Sequence, residues 1–124
     1  MLRITLHLDG EKKTFYTDFI SGYMFRKALE LDEKRNKYLK KVLDQQETSR
    51  EEQEELLNEL YTFISEVFGK QFTPEQYEQG TDARRIVDQS WAIVHGIISQ
   101  TLEPLSELED DDSQKKKKSN RSSS

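Results

Sequence analysis

The stretch Val67-Phe68-Gly69-Lys70-Gln71-Phe72-Thr73-Pro74-Glu75-Gln76-Tyr77-Glu78-Gln79-Gly80 constrains the fold more than any other part of the chain. Gly69 stands where a left-handed residue ends a helix. Thr73-Pro74-Glu75-Gln76 then opens a new one, with proline at the first helical position, where its missing N–H costs nothing. Gly80 closes that short helix. The stretch carries no catalytic signature and reads as a structural junction between two longer helices.

The helix before it begins at Ser49-Arg50-Glu51-Glu52, a capping box in which serine and glutamate satisfy each other's backbone N–H groups. It should bury Leu56, Leu57, Leu60, Phe63, Ile64, Val67 and Phe68. Glu51, Glu52, Glu54 and Glu55 crowd its first turns, where the helix dipole favours negative charge. After the junction, Asp82 is the expected cap of a last helix running from 83 to about 103 and ended by Pro104. Ala83, Ile86, Val87, Trp91, Ile93, Val94, Ile97, Ile98 and Leu102 would cover roughly half its circumference, wider than the ~100° stripe of an ordinary surface helix.

The chain opens with Leu2, Ile4, Leu6 and Leu8 alternating with Arg3, Thr5 and His7, the period of a half-buried strand. Asp9-Gly10 signals a hairpin, and residues 13–17 form the return strand. Phe15 joins the face of Ile4 and Leu6 whether the loop has two or four residues; Tyr16 joins Thr5 and His7. An isolated hairpin is marginal in water, so its apolar face must lie on helices. Ser21 caps the next helix, whose stripe is Met24, Phe25, Ala28, Leu29 and Leu31, continued by Leu39, Val42 and Leu43. Asp32 and Asn36 interrupt the stripe. Either the helix breaks between 32 and 37 or its second half leaves the core; the favoured reading is one helix from about 21 to 45 with a weak centre.

These elements define an α+β, predominantly helical fold: an N-terminal β-hairpin on a small bundle of three longer helices plus one short helix. Of 124 residues, 33% are apolar and 35% charged, enough for one small core. We expect a single domain over residues 1–105 and a disordered charged tail over 106–124, where an acidic block is followed by Lys115-Lys116-Lys117-Lys118. The net charge of −5 disfavours nonspecific binding to nucleic acid. No apolar run approaches the roughly 20 residues of a membrane helix. The absence of cysteine removes disulfides and thiolate chemistry, and fits a reducing cytoplasm.

No catalytic, cofactor-binding or metal-ligating set can be named. His7 and His95 lack a second histidine at ligand spacing, and Asp110-Asp111-Asp112 lacks the glycine and distal glutamate of a calcium loop. The chain therefore reads as a non-enzymatic binding protein without a cofactor. Its candidate partner-binding residues lie on two helices. On the last helix, Ile86, Ile93 and Ile97 could be left over for another molecule, and Ala92 and Gly96 form with Ser99 a row of small residues that another helix could approach. A domain that covers this helix on all sides is the competing reading. On the charged helix, Tyr38, Leu39 and Val42, with Leu43, could grip a partner helix or pack on the helix that follows.

Together, Ile4-Thr5-Leu6-His7-Leu8-Asp9-Gly10, Thr14-Phe15-Tyr16-Thr17, Phe25-Arg26-Lys27-Ala28-Leu29-Glu30, Val67-Phe68-Gly69, Gln71-Phe72-Thr73, Tyr77, Gly80 and Asp82-Ala83-Arg84 resemble the tail assembly chaperones of long-tailed bacteriophages, in their short, unframeshifted form. The resemblance covers about residues 1–103; the stretch 32–50 is longer and more charged than the pattern. It implies a protein that binds the helical tape measure protein, keeps it soluble and helps recruit major tail protein, the latter in some phages through a frameshift-extended form. It further implies action in the host cytoplasm, absence from the mature virion, and room for a homo-oligomer. A ribosomal slip would fall at the lysine run. The alternative is a structural tail subunit of terminator or connector type.

Overall fold

A computed structural model describes residues 1–101. The element order is β1 Leu2–Leu8, β2 Glu11–Thr17, α1 Gly22–Leu43, α2 Arg50–Val67, α3 Pro74–Gly80 and α4 Ile86–Ser99. This is the expected class, an antiparallel hairpin with three longer helices and one short one. The expectations for Leu102, Glu103, Pro104 and the charged tail lie outside the described residues.

Asp9 and Gly10 take φ values of 54° and 78°, so the hairpin closes through a two-residue turn whose twist matches its strands. So tight a turn lets pairing run up to it, and β2 starts at Glu11 rather than Lys13. Ile4 sits opposite Phe15 in the register. Leu2, Ile4 and Leu6 are buried while Tyr16 is exposed, as the alternation requires.

The junction supplies the centre of the core. Phe68, Phe72 and Tyr77 are all fully buried. Phe72 lies 5.1 Å from Phe15 of the hairpin, 5.6 Å from Phe68 and 6.0 Å from Tyr77 between ring centroids. Tyr61 of α2 meets Tyr77 edge-on at 5.6 Å. Such offset and tilted pairs each add about 0.5–1.5 kcal/mol beyond their area. The buried Tyr77 hydroxyl is satisfied by Ser90 of α4 at 2.6 Å and by the Gln89 amide at 3.2 Å. The Ser65 hydroxyl donates to the Phe72 carbonyl. Gly80 ends α3 against β1: a Cβ there would stand 2.9 Å from the His7 carbonyl oxygen. Only a residue without a side chain allows the helix to lie on the strand backbone.

Both expected capping boxes form, at Ser49 with Glu52 and at Thr73 with Gln76. α1 is continuous through its polar centre. Asp32 reaches His95 at 2.8 Å, and the Arg35 guanidinium lies 5.0 Å over the Trp91 ring, so two residues of the polar centre tie α1 to α4. The last helix differs from expectation at both ends. Asp82 starts a turn instead: its carbonyl accepts the N–H groups of Arg85 and Ile86, and its carboxylate binds the Arg84 backbone and guanidinium. Helical geometry begins only at Ile86. At the far end Gln100 adopts φ 62°, the Thr101 N–H returns to the Gly96 carbonyl and the Gln100 N–H to that of Ile97. This Schellman turn stops α4 at Ser99, ahead of Pro104.

Candidate docking surface

α4 packs on α1 and α2, and those contacts consume its wide apolar arc. Ile86, Ile93 and Ile97 are buried together with Trp91 and Val94. Of the two readings, Ile86, Ile93 and Ile97 left over for another molecule or a helix covered by its own domain, the burial of these three side chains favours the second. At 14 residues the helix is short enough for its own domain to cover most of it. Gly96 is buried as well, and Ala92 half-buried, so the small-residue row is not an open groove. Within α4, Val87 in the first turn stays exposed, and Ala83, ahead of the helix, is exposed as well.

The charged helix holds more open apolar surface. Tyr38 is half-buried, Leu39 is 38% exposed, Val42 48% and Leu43 80%. Geometry explains why. The pairs Asp32–His95 and Arg35–Trp91 show α1 and α4 running antiparallel. The same pitch puts Val87 level with Leu39, and α4 begins one residue earlier, at Ile86. Val42 and Leu43 thus extend past the start of α4. Among the described residues no helix covers them on that side, although Val42 lies on the core-facing row of Met24, Ala28 and Leu31.

A second row explains the remaining exposure. Phe25, Leu29, Asp32, Asn36, Leu39 and Leu43 follow alternating steps of four and three, one residue displaced from the buried row. Reading Met24 and Phe25 as one stripe merges two rows that point about 100° apart. Separating them by angle would have shown Phe25 and Leu29 leaving the core.

On the opposite flank α1 and α2 are joined by ion pairs. Lys34 binds Glu59 at 2.6 Å, and Lys41 binds Glu52. Lys41, with the Ser49 N–H, holds the Glu52 carboxyl below the usual carboxylate range; the Glu59 carboxylate pushes Lys34 above its ordinary value. Two shallow recesses of about 390 and about 280 Å³ lie along this seam on either side of the Lys34–Glu59 bridge. Their walls carry opposite charges already paired across the gap. Covering the apolar end of α1, by contrast, would break no ion pair between the two helices.

Among the described residues no group of three or more histidine, cysteine or acidic side chains comes together to hold a metal, and no helix is long and apolar enough to cross a membrane. A model of the phage tail chaperone protein family matches residues 1–121. The chain belongs to this family. No curated protein and no solved structure is significantly similar to it. Membership assigns a role in tail assembly, exercised on tail proteins. The matched span includes the long charged stretch 32–50.

Proposed function

We propose that this tail chaperone holds the tape measure protein on the exposed apolar end of α1, through Tyr38, Leu39 and Val42, joined by Leu43 and Val87. The observation that carries the reading is that α1 outruns α4 and leaves these side chains uncovered. A long amphipathic helix would otherwise associate with copies of itself through its own stripe. Laid against this patch, it exchanges that stripe for Leu39, Val42 and Leu43 in the helix-in-groove manner. Full burial of a leucine or valine side chain is worth about 1.5–3 kcal/mol, so a few such anchors give a reversible hold. Reversibility suits a coat that must come off as the tail is built. Ile86, Ile93 and Ile97 serve the surface indirectly, by fixing where α4 stops along α1.

On the same reading the chaperone works in the host cytoplasm, brings major tail protein to the coated helix, and leaves before the particle is finished. The recruiting form would be a frameshift-extended product arising at the codons of Lys115-Lys116-Lys117-Lys118. Synonymous lysine codons that disrupt slipping should abolish any longer product.

The deciding experiment is co-expression with the tape measure protein followed by pull-down, comparing the native chain with Leu39→Ser and Val42→Ser. Loss of capture, with thermal unfolding unchanged, is the expected result. Undiminished capture by both variants would move the site elsewhere. Abundant peptides of this chain in purified virions would make it a structural subunit instead.

A further inference from the structure

The outer row of α1 does not stop at its polar centre. Phe25, Leu29, Asp32, Asn36, Leu39 and Leu43 all fall within a sector of about 80°. Phe25 and Leu29 are exposed by 37% and 45%, as Leu39 and Leu43 are at the tip. The row thus carries an apolar pair at each end and a polar pair between them. Steps of four and three are the spacing with which one helix receives another along a seam. α4 supplies a second wall. The antiparallel alignment sets its half-buried Ile98 level with Leu29 and its exposed Val87 level with Leu39, and His95 reaches Asp32 between them. The furrow so formed runs about 27 Å along α1.

We infer that the partner is an amphipathic helix lying along this whole furrow and not at the tip alone, an inference that rests on the reading above that a helical partner docks on α1. Its seam would carry apolar residues at both ends, hydrogen-bonding side chains in the middle opposite Asp32, Asn36 and His95, and carboxylates on the flank beside Arg26 and Lys40. Size favours the longer contact. The tip offers a few side chains, far short of the roughly 800 Å² per partner of a standard interface; Phe25, Leu29 and Ile98 extend it along the full helix. The polar centre sets the partner's chemistry. A uniformly apolar helix would strip water from Asp32 and Asn36 without replacing their hydrogen bonds, whereas polar residues there fix the register, as they do in paired helices. Charge argues against a second copy of this chain. The row is symmetric about Lys34, so an antiparallel copy could set Leu29 on Leu39, but Arg26 would then meet Lys40 and Glu33 would meet Glu33. A parallel copy would stack Asp32 on Asp32. Like charges oppose both arrangements. A partner with its own carboxylates meets no such obstacle. The pairs Glu33–Lys37 at 3.7 Å and Lys40–Asp44 at 3.2 Å join exposed neighbours one turn apart, and such pairs exchange partners at little cost.

The chain has no cysteine, so a single label can be placed at either end of the row in the full-length protein. Phe25→Cys and Leu43→Cys, each carrying a benzophenone maleimide, are irradiated with the tape measure protein bound, and the adducts are mapped by mass spectrometry. Both should label the tape measure protein, at sites about 18 residues apart on one helix; Leu29→Cys and Leu39→Cys should label it about 10 residues apart. In pull-down, Leu29→Ser should weaken capture on the order of tenfold, as much as Leu39→Ser. Labelling from Leu43→Cys but not from Phe25→Cys, with full capture by Leu29→Ser, would overturn the long furrow and leave docking at the tip intact. No labelling from either end would overturn both. Adducts mainly between copies of this chain would give the furrow to a second copy and overturn the inference as well.

Discussion

The most apolar helix and the most charged one exchange the roles that composition suggests for them. α4 is greasy over about half its circumference, yet Ile86, Ile93, Val94 and Ile97 are all buried. α1 is crowded with lysine and glutamate, yet Leu39, Val42 and Leu43 face solvent. The width of an apolar arc says how much surface a helix needs to hide. Whether it stays open depends on how far its neighbours extend alongside. α4 spans 14 residues against partners of 22 and 18, so it is enclosed; α1 is the longest and loses cover at its tip.

The hardest test of this contrast is Ile93→Ser. A polar group placed in a closed interior should cost about 3 kcal/mol or more by chemical denaturation. An unchanged midpoint with weakened partner capture would return the docking face to α4. Gly80→Ala comes next, at about 1–3 kcal/mol, because its methyl group would press on the His7 carbonyl and push α3 off β1. Phe72 and Tyr77 near-ultraviolet signals should change with it. Smaller again is the effect of acid. The Glu52 carboxyl is held low in the fold, so its stabilisation is present above the unfolded value, near pH 4, and fades as the pH falls through the folded one. The α1–α2 tip should therefore exchange amide hydrogens faster at low pH before the Phe72 region does. Least of all, Leu39→Ser and Val42→Ser should move stability by within about 0.5 kcal/mol; a larger loss would mean that the tip of α1 is core after all.

Much of the candidate site could be read in advance. The patch Tyr38, Leu39, Val42 and Leu43 is visible as a short apolar group on a charged helix, because side-chain spacing sets Tyr38 with Val42 on one row and Leu39 with Leu43 on the adjacent one. Its exposure was not visible, since that depends on where α4 begins. Asp82 looked like the cap that starts α4, but its carboxylate is engaged by Arg84 and holds a turn, and the helix starts later. Gln100 gave no warning of an ending either. Left-handed geometry there favours glycine or asparagine, and a glutamine in that role is accepted only because the backbone bonds to Gly96 and Ile97 compensate.

Local chemistry thus determined the elements themselves: the Asp9-Gly10 turn, the two capping boxes, and the glycine that ends α2 each act through atoms a few residues apart. Periodicity determined which side chains share a face. Only the tertiary structure decided which of those faces stay dry. That outcome depends on the relative lengths and alignment of α1 and α4, set by contacts such as Asp32 with His95, far apart in the sequence.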